Sequence, residues 1–155
     1  MKKEIHIAVA GNPNVGKSTL FNLLTGVNQH IGNYPGVTVE KKSGIMNFGD
    51  AAITVVDLPG IYSMSAFSPE EGVARDYILT QKPDVVVNIV DASNLDKNLY
   101  LTLQLIEMQI PVVLFLNMMD AAAAKGISIE TGTLAEKLSI RVVSGSAKKK
   151  IGRAS

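Results

Sequence analysis

A chain of 155 residues, 46% of them hydrophobic, is long enough to build one domain with a sizeable core. Its 15 basic and 14 acidic residues leave a net charge of +1, so no overall basic field argues for a nucleic-acid partner. Cysteine is absent, which removes disulfides, thiolate-held zinc and iron–sulfur clusters from consideration.

The first residues, Met1-Lys2-Lys3-Glu4, lead directly into a strand and lack the apolar core of a secretory signal. No apolar run nears the roughly 18 residues that cross a bilayer. The chain as given is therefore expected to be soluble and suited to a reducing compartment. Ile5–Ala10 is an apolar-rich strand signal, and a helical pattern covers about Lys17–Thr25. Between them lies Gly11-Asn12-Pro13-Asn14-Val15-Gly16-Lys17-Ser18, a G-x-x-x-x-G-K-S phosphate-binding loop, with Thr19 following. Glycines let the backbone turn its N–H groups toward a polyphosphate, and the helix behind aims its positive end at the same anion. Lys17 adds a point charge for the outer phosphates, and the Ser18 hydroxyl is placed to ligate Mg²⁺.

Gly26–Gly36 reads as a polar connection, followed by strands over Val37–Phe48 and Ala52–Asp57 joined at Gly49-Asp50. That is a hairpin signal, so one edge strand should run antiparallel to the rest. Asp57-Leu58-Pro59-Gly60 is D-x-x-G at a strand end: Asp57 can hold Mg²⁺ through water, and the Gly60 N–H can sense a γ-phosphate. Thr38, where the polar connection becomes a strand, is the best candidate for a Mg²⁺-binding threonine. Leu58–Phe67 is a loop, and Ser68-Pro69-Glu70-Glu71 opens a helix running to about Thr80.

Val85–Val90 is a continuous apolar strand of the doubly buried kind, followed by a helix over about Leu95–Met108 and a strand over Val112–Leu116. Asn117-Met118-Met119-Asp120 comes next, an N-x-x-D at a strand end. An ionised aspartate accepts two hydrogen bonds, which suits the N1–H and 2-amino group of guanine and finds no such pair on adenine. A helical region over about Ala121–Leu138, broken near Gly126 and Gly132, leads to a last strand, Ile140–Val143. Ser146-Ala147-Lys148 beyond it can close over the base. Four elements in this order point to GTP and GDP with Mg²⁺. The alternation predicts an α/β fold with a mainly parallel six-stranded sheet and helices on both faces. Only Lys148–Ser155 remains to cover the last strand, so the single domain, 1–155, is expected to be cut from a longer protein and to lack its last helix.

The chain resembles the Ras-like P-loop GTPases of translation-factor type and, within them, the cytoplasmic G domain of the ferrous iron transporter family, FeoB. The resemblance rests on the phosphate loop, on Asn117–Asp120, and on Ile31-Gly32-Asn33-Tyr34-Pro35-Gly36-Val37-Thr38-Val39-Glu40 and Asp57–Ser63. It implies a regulatory domain on the cytoplasmic face of the cell membrane, followed by helical and transmembrane regions, with room for a homo-oligomer formed through the membrane part. It also implies that Asn14 helps to hold K⁺ beside the phosphates. Ras-type proteins place a water-orienting glutamine after D-x-x-G; here that position is Ile61, so hydrolysis should be slow, about 10⁻⁴ to 10⁻² s⁻¹. Lys17, Asn14, Thr38 and Gly60 would carry catalysis. The alternatives are a soluble GTPase of ribosome or RNA maturation and a nucleotide-gated interaction module with incidental hydrolysis. Tyr34 could cover the nucleotide or face a partner. His6, in the first strand, and His30, in the loop before the hairpin, are too far apart in the sequence to make an iron site, and Met108, Met118 and Met119 read as packing residues rather than metal ligands.

Overall fold

The computed structural model describes residues 3–65 and 67–145. In chain order the elements are β1 (Lys3–Gly11), α1 (Lys17–Thr25), β2 (Gln29–Asn33), β3 (Glu40–Phe48), β4 (Ala51–Asp57) and α2 (Pro69–Gln81). They continue with β5 (Val85–Asp91), a 3-10 turn, α3 (Leu95–Glu107), β6 (Val112–Asn117), α4 (Met119–Ala124), α5 (Thr131–Leu138) and β7 (Arg141–Ser144). All strands join one sheet in the order β2-β3-β4-β1-β5-β6-β7. The run from β4 to β7 is parallel, as the alternation of strands and helices requires.

The described residues form a sheet of seven strands where the sequence predicts six. The addition is β2, inside the stretch read as a polar connection. Gln29-His30-Ile31-Gly32-Asn33 carries no apolar alternation, and the segment is ordered by its antiparallel ladder on β3, from Gln29↔Gly44 to Asn33↔Glu40. β3, the one strand that runs against the others, is therefore displaced from the edge to the second position. The β3–β4 hairpin turns at Gly49-Asp50 as expected, with Gly49 at φ 59°.

Side-chain alternation assigns the two faces of the sheet. On β1, Val9 packs with Leu20 and Phe21 of α1, while Ala8 and Ala10 meet Ala74 and Ile78 of α2 and Leu101 and Leu105 of α3. A third cluster joins Leu114 and Leu116 of β6 to Ala122 of α4, with Leu134 and Leu138 of α5 against it. Full burial of a side chain such as Phe21 or Phe115 contributes about 1.5–3 kcal/mol, so these clusters dominate stability. Gly126, at φ 76°, ends the α4 segment as its sequence suggests, but Gly132 lies within the first turn of α5 and breaks nothing. The carboxyl ends of β1, β4 and β6 deliver Gly11, Asp57 and Asn117 to one end of the sheet, where ligands of open α/β folds bind.

Candidate functional site

The loop between β1 and α1 takes a path that few side chains tolerate. Asn14 and Gly16 adopt left-handed φ values of 67° and 90°, flanking Val15, which is buried. Such alternation turns successive N–H groups toward a common centre. A Cβ on Gly11 would lie 2.6 Å from the Ile89 carbonyl oxygen, and one on Gly16 would overlap Nδ2 of Asn117. Both positions need glycine for steric reasons, and α1 begins directly with the Gly16 carbonyl accepting from Leu20 N–H at 3.1 Å.

The loop borders a cavity of about 530 Å³. Pro13, Asn14, Gly16, Lys17, Ser18 and Thr19 line one side, and Gly60 faces them from the D-x-x-G turn. That turn is pinned to the loop by main-chain bonds: Leu58 N–H donates to Val9 O and Ile61 N–H to Gly11 O, each at 3.0 Å. A Cβ on Gly60 would come within 3.1 Å of Pro13 Cα, so the approach admits no larger residue without movement. Asn12 is buried behind the loop, and its Oδ1 finds no hydrogen-bond partner among the described residues.

Lys17 Nζ and Asp57 Oδ1 are 2.5 Å apart, with side chains only 11% and 8% exposed. Burial raises the Asp57 pKa above its ordinary value; the Lys17 charge and hydrogen bond oppose that shift without cancelling it. The cavity thus brings together loop main chain, the Lys17 ammonium and the Ser18 hydroxyl, with the Asp57 carboxylate held against the ammonium. That donor set fits a polyphosphate with a hard divalent cation: amides and ammonium for the anion, oxygens for the metal.

At the end of β6, Asn117 is buried and donates through Nδ2 to Val15 O at 2.9 Å, bracing the phosphate loop from beneath. Met118 turns the chain at φ 60° into α4. Asp120 stands exposed in the first turn, its Oδ1 accepting from Ala121 N–H at 3.0 Å. Asn117 and Asp120 are thereby set apart, one supporting the loop and the other open to solvent. Ser146, Ala147 and Lys148 lie outside the described residues.

Thr38 does not stand with these groups. It is exposed on the turn between Tyr34 and Val39, away from the cavity wall. Tyr34 neither covers the cavity nor faces outward. It is 4% exposed in the core beside Leu58, Ile61 and Met64, and its hydroxyl donates to the Asp57 carbonyl at 3.2 Å. Ile61 is also buried, which leaves no polar side chain directly after the D-x-x-G turn. His6 packs against Tyr77: its Nε2 shares a 2.6 Å hydrogen bond with the Tyr77 hydroxyl, and burial lowers its pKa. Burial likewise raises the pKa of Tyr34, and that of Tyr77 to about 12, so both phenols are neutral.

One loop-fastening group near the site is not anticipated from the sequence. Glu71 ties down the loop before α2, accepting from Ser63 Oγ at 3.0 Å and from Phe67 N–H at 3.2 Å. The S-x-x-E spacing from Ser68 was a signal for it, since an N3 glutamate reaches back toward the helix start.

A sequence model of ferrous iron transport protein B matches residues 5–155. The Fe(2+) transporter FeoB of Methanocaldococcus jannaschii is 63% identical over 106 residues, which make up 68% of this chain and 16% of that protein. A Porphyromonas gingivalis fusion of Fe(2+) transport protein A with the transporter FeoB is 49% identical over 140 residues, 90% of this chain and 17% of its own. Among solved structures, the FeoB G-domain from Methanococcus jannaschii superposes with a TM-score of 0.86 at 51% identity, covering 97% of this chain and 90% of that one. An S. thermophilus NFeoB mutant bound to GDP gives 0.89 at 54% identity, covering 96% and 56%. The chain spans about a sixth of the length of the curated relatives it matches.

Proposed function

The chain belongs to the ferrous iron transport protein B family, and from that membership we propose that it is the GTP-binding, slowly hydrolysing switch domain of a ferrous iron membrane transporter. The observation that carries this reading is the convergence of the phosphate loop, Lys17 and Gly60 on one cavity, with Asp57 paired to Lys17 and with Asn117 and Asp120 at the end of a nearby strand. A relative of the same fold binds GDP, and this donor set suits the same class of nucleotide.

The roles follow from the chemistry of each group. The amides of Asn14–Thr19 would wrap the phosphates, and Lys17 would exchange Asp57 for phosphate oxygens. Ser18, Thr38 and, through water, Asp57 would hold Mg²⁺, which when bound neutralises charge on the β- and γ-phosphates. The Gly60 N–H would sense the γ-phosphate. Asp120 would read the guanine edge, Asn117 and Met118 would shape its pocket, and Ser146, Ala147 and Lys148 would close it. Asn14 lines the cavity where K⁺ would complement the phosphate charge. With Ile61 unable to orient water, hydrolysis would be slow, and release of the loops carrying Thr38 and Gly60 would follow loss of the γ-phosphate.

The remainder of the transporter would supply the helical and transmembrane parts and any association between copies, placing this domain at the cytoplasmic face of the membrane. No described helix is long and apolar enough to cross a bilayer. Single-turnover hydrolysis of GTP with Mg²⁺, in KCl and in NaCl, tests the reading. The expected result is a rate of about 10⁻⁴ to 10⁻² s⁻¹ in NaCl, faster in KCl, with the potassium gain lost in Asn14→Ala. Equal rates in the two salts would remove the K⁺ role, and no turnover above buffer in either would remove the GTPase reading.

A further inference from the structure

Thr38 is asked to reach the cavity, yet the segment that carries it is fastened elsewhere. Tyr34 C=O accepts from Val37 N–H at 3.3 Å, with Pro35 and Gly36, at φ 74°, between them. That is the pattern of a type II turn, with proline first and a glycine at positive φ second. Tyr34 N–H donates to Val39 O at 3.0 Å, which closes the loop at its base. Thr38 is thus held on a short closed loop whose position is set by where the Tyr34 side chain goes.

The side chain goes into the core. Its hydroxyl is on the Asp57 carbonyl, its ring meets Tyr77 edge-on at 5.9 Å between centroids, and Lys41 Nζ lies over both rings, 5.8 Å from Tyr34 and 5.5 Å from Tyr77. His6 completes the stack through its hydrogen bond to Tyr77. The socket is therefore built from β1, β3, β4 and α2, and its deepest contact is the main chain of the residue whose carboxylate pairs with Lys17.

We propose that Tyr34 is a latch: seated in the His6–Lys41–Tyr77 socket, it holds Thr38 away from the phosphate cavity and so opposes the form that binds Mg²⁺·GTP. This is a positioning role, and it rests on the reading of Thr38 as a Mg²⁺ ligand given above. Thr38 engages the cavity only as the Tyr34 loop leaves its seat, so the strength of the seat sets the preference for triphosphate over diphosphate. GDP, which has no γ-phosphate side to complete with Thr38, is indifferent to it.

The test is the ratio of dissociation constants for GDP and a non-hydrolysable GTP analogue, both with Mg²⁺, measured on the 155-residue chain. Tyr34→Ala empties the seat, Tyr34→Phe removes only the hydrogen bond to Asp57, and Lys41→Ala removes only the cation over the rings. Lys41 borders a second cavity, of about 430 Å³, so its substitution leaves the core beneath it filled. All three should tighten the analogue relative to GDP, Lys41→Ala and Tyr34→Phe by about two- to fivefold and Tyr34→Ala by more. Each gain should vanish when Thr38→Ala is added. If Lys41→Ala and Tyr34→Phe leave the ratio unchanged or shift it toward GDP, the latch is wrong, whether or not Tyr34→Ala folds. If Thr38→Ala alone leaves analogue binding unchanged, the failure lies in the Mg²⁺ assignment instead.

Discussion

Lys17 and Asp57 each depend on the other in a place where neither meets much water. Removing the lysine leaves a buried carboxylate without its cation, so Lys17→Ala should weaken guanine-nucleotide binding by about 10- to 100-fold and also change how stability responds to pH. Burial already holds the Asp57 pKa above 3.8, so the folded state binds its proton more tightly than the unfolded chain does. The contribution of Asp57 is then greatest below that unfolded value and is lost as pH rises through the folded one. Without Lys17 the folded pKa climbs further and the loss grows. The denaturant midpoint at about pH 4 should therefore rise relative to that at about pH 7 in Lys17→Ala, compared with the same difference in the parent chain; an unchanged difference would show that the pair does not couple. The residues of the phosphate loop were legible in the sequence because their demands are strict. Gly16 must sit at φ 90° with Asn117 against it, and almost no other residue meets both conditions. Tyr34 was not legible in this way. A tyrosine in a polar loop can cover a ligand, meet a partner or turn inward, and only the space between α2 and β3 decides.

The loop from Leu58 to Phe67 shows how an element boundary can carry function. Ser68 caps α2 by accepting from Glu71 N–H at 3.1 Å, and the Glu71 carboxylate in turn holds Ser63 and Phe67. Gln104 of α3 accepts from Met64 N–H at 2.7 Å, and Arg75 donates to Met64 O at 3.0 Å, so the loop is fastened from two helices. Glu71→Ala keeps the cap, since Ser68 bonds the main chain, but releases the segment around Phe67, which is already 93% exposed. Limited proteolysis should therefore cut near Phe67 about tenfold faster in that variant with the melting temperature lowered by only a few degrees; unchanged cleavage would mean that the helices alone hold the loop. β2 teaches the complementary lesson. The strands with apolar runs, β1, β4, β5, β6 and β7, could be read in order because burial writes their pattern. β2 has no such run; it exists because β3 offers an unpaired ladder, and a pairing partner is not a property of the segment itself.

Across the whole molecule, the parallel order of β4-β1-β5-β6-β7 brings the loop after β1, the aspartate after β4 and the N-x-x-D after β6 to one end of the sheet. That convergence was foreseeable, because parallel strands joined by crossovers leave all their carboxyl ends on the same side. The extra edge strand and the inward Tyr34 lie on the antiparallel side of the sheet, where local pairing rather than crossover geometry governs the path. On the proposed reading, this end of the sheet receives a guanine nucleotide and discriminates against adenine through Asp120. Calorimetric titration of the chain with GDP and with ADP, both in excess Mg²⁺, addresses it most directly, with Asp120→Ala alongside. Two charge-assisted hydrogen bonds to the base should make GDP at least about 100-fold tighter than ADP, and Asp120→Ala should erase most of that difference. ADP binding as tightly as GDP, or a preference untouched by Asp120→Ala, would rule out a guanine site at this end of the sheet.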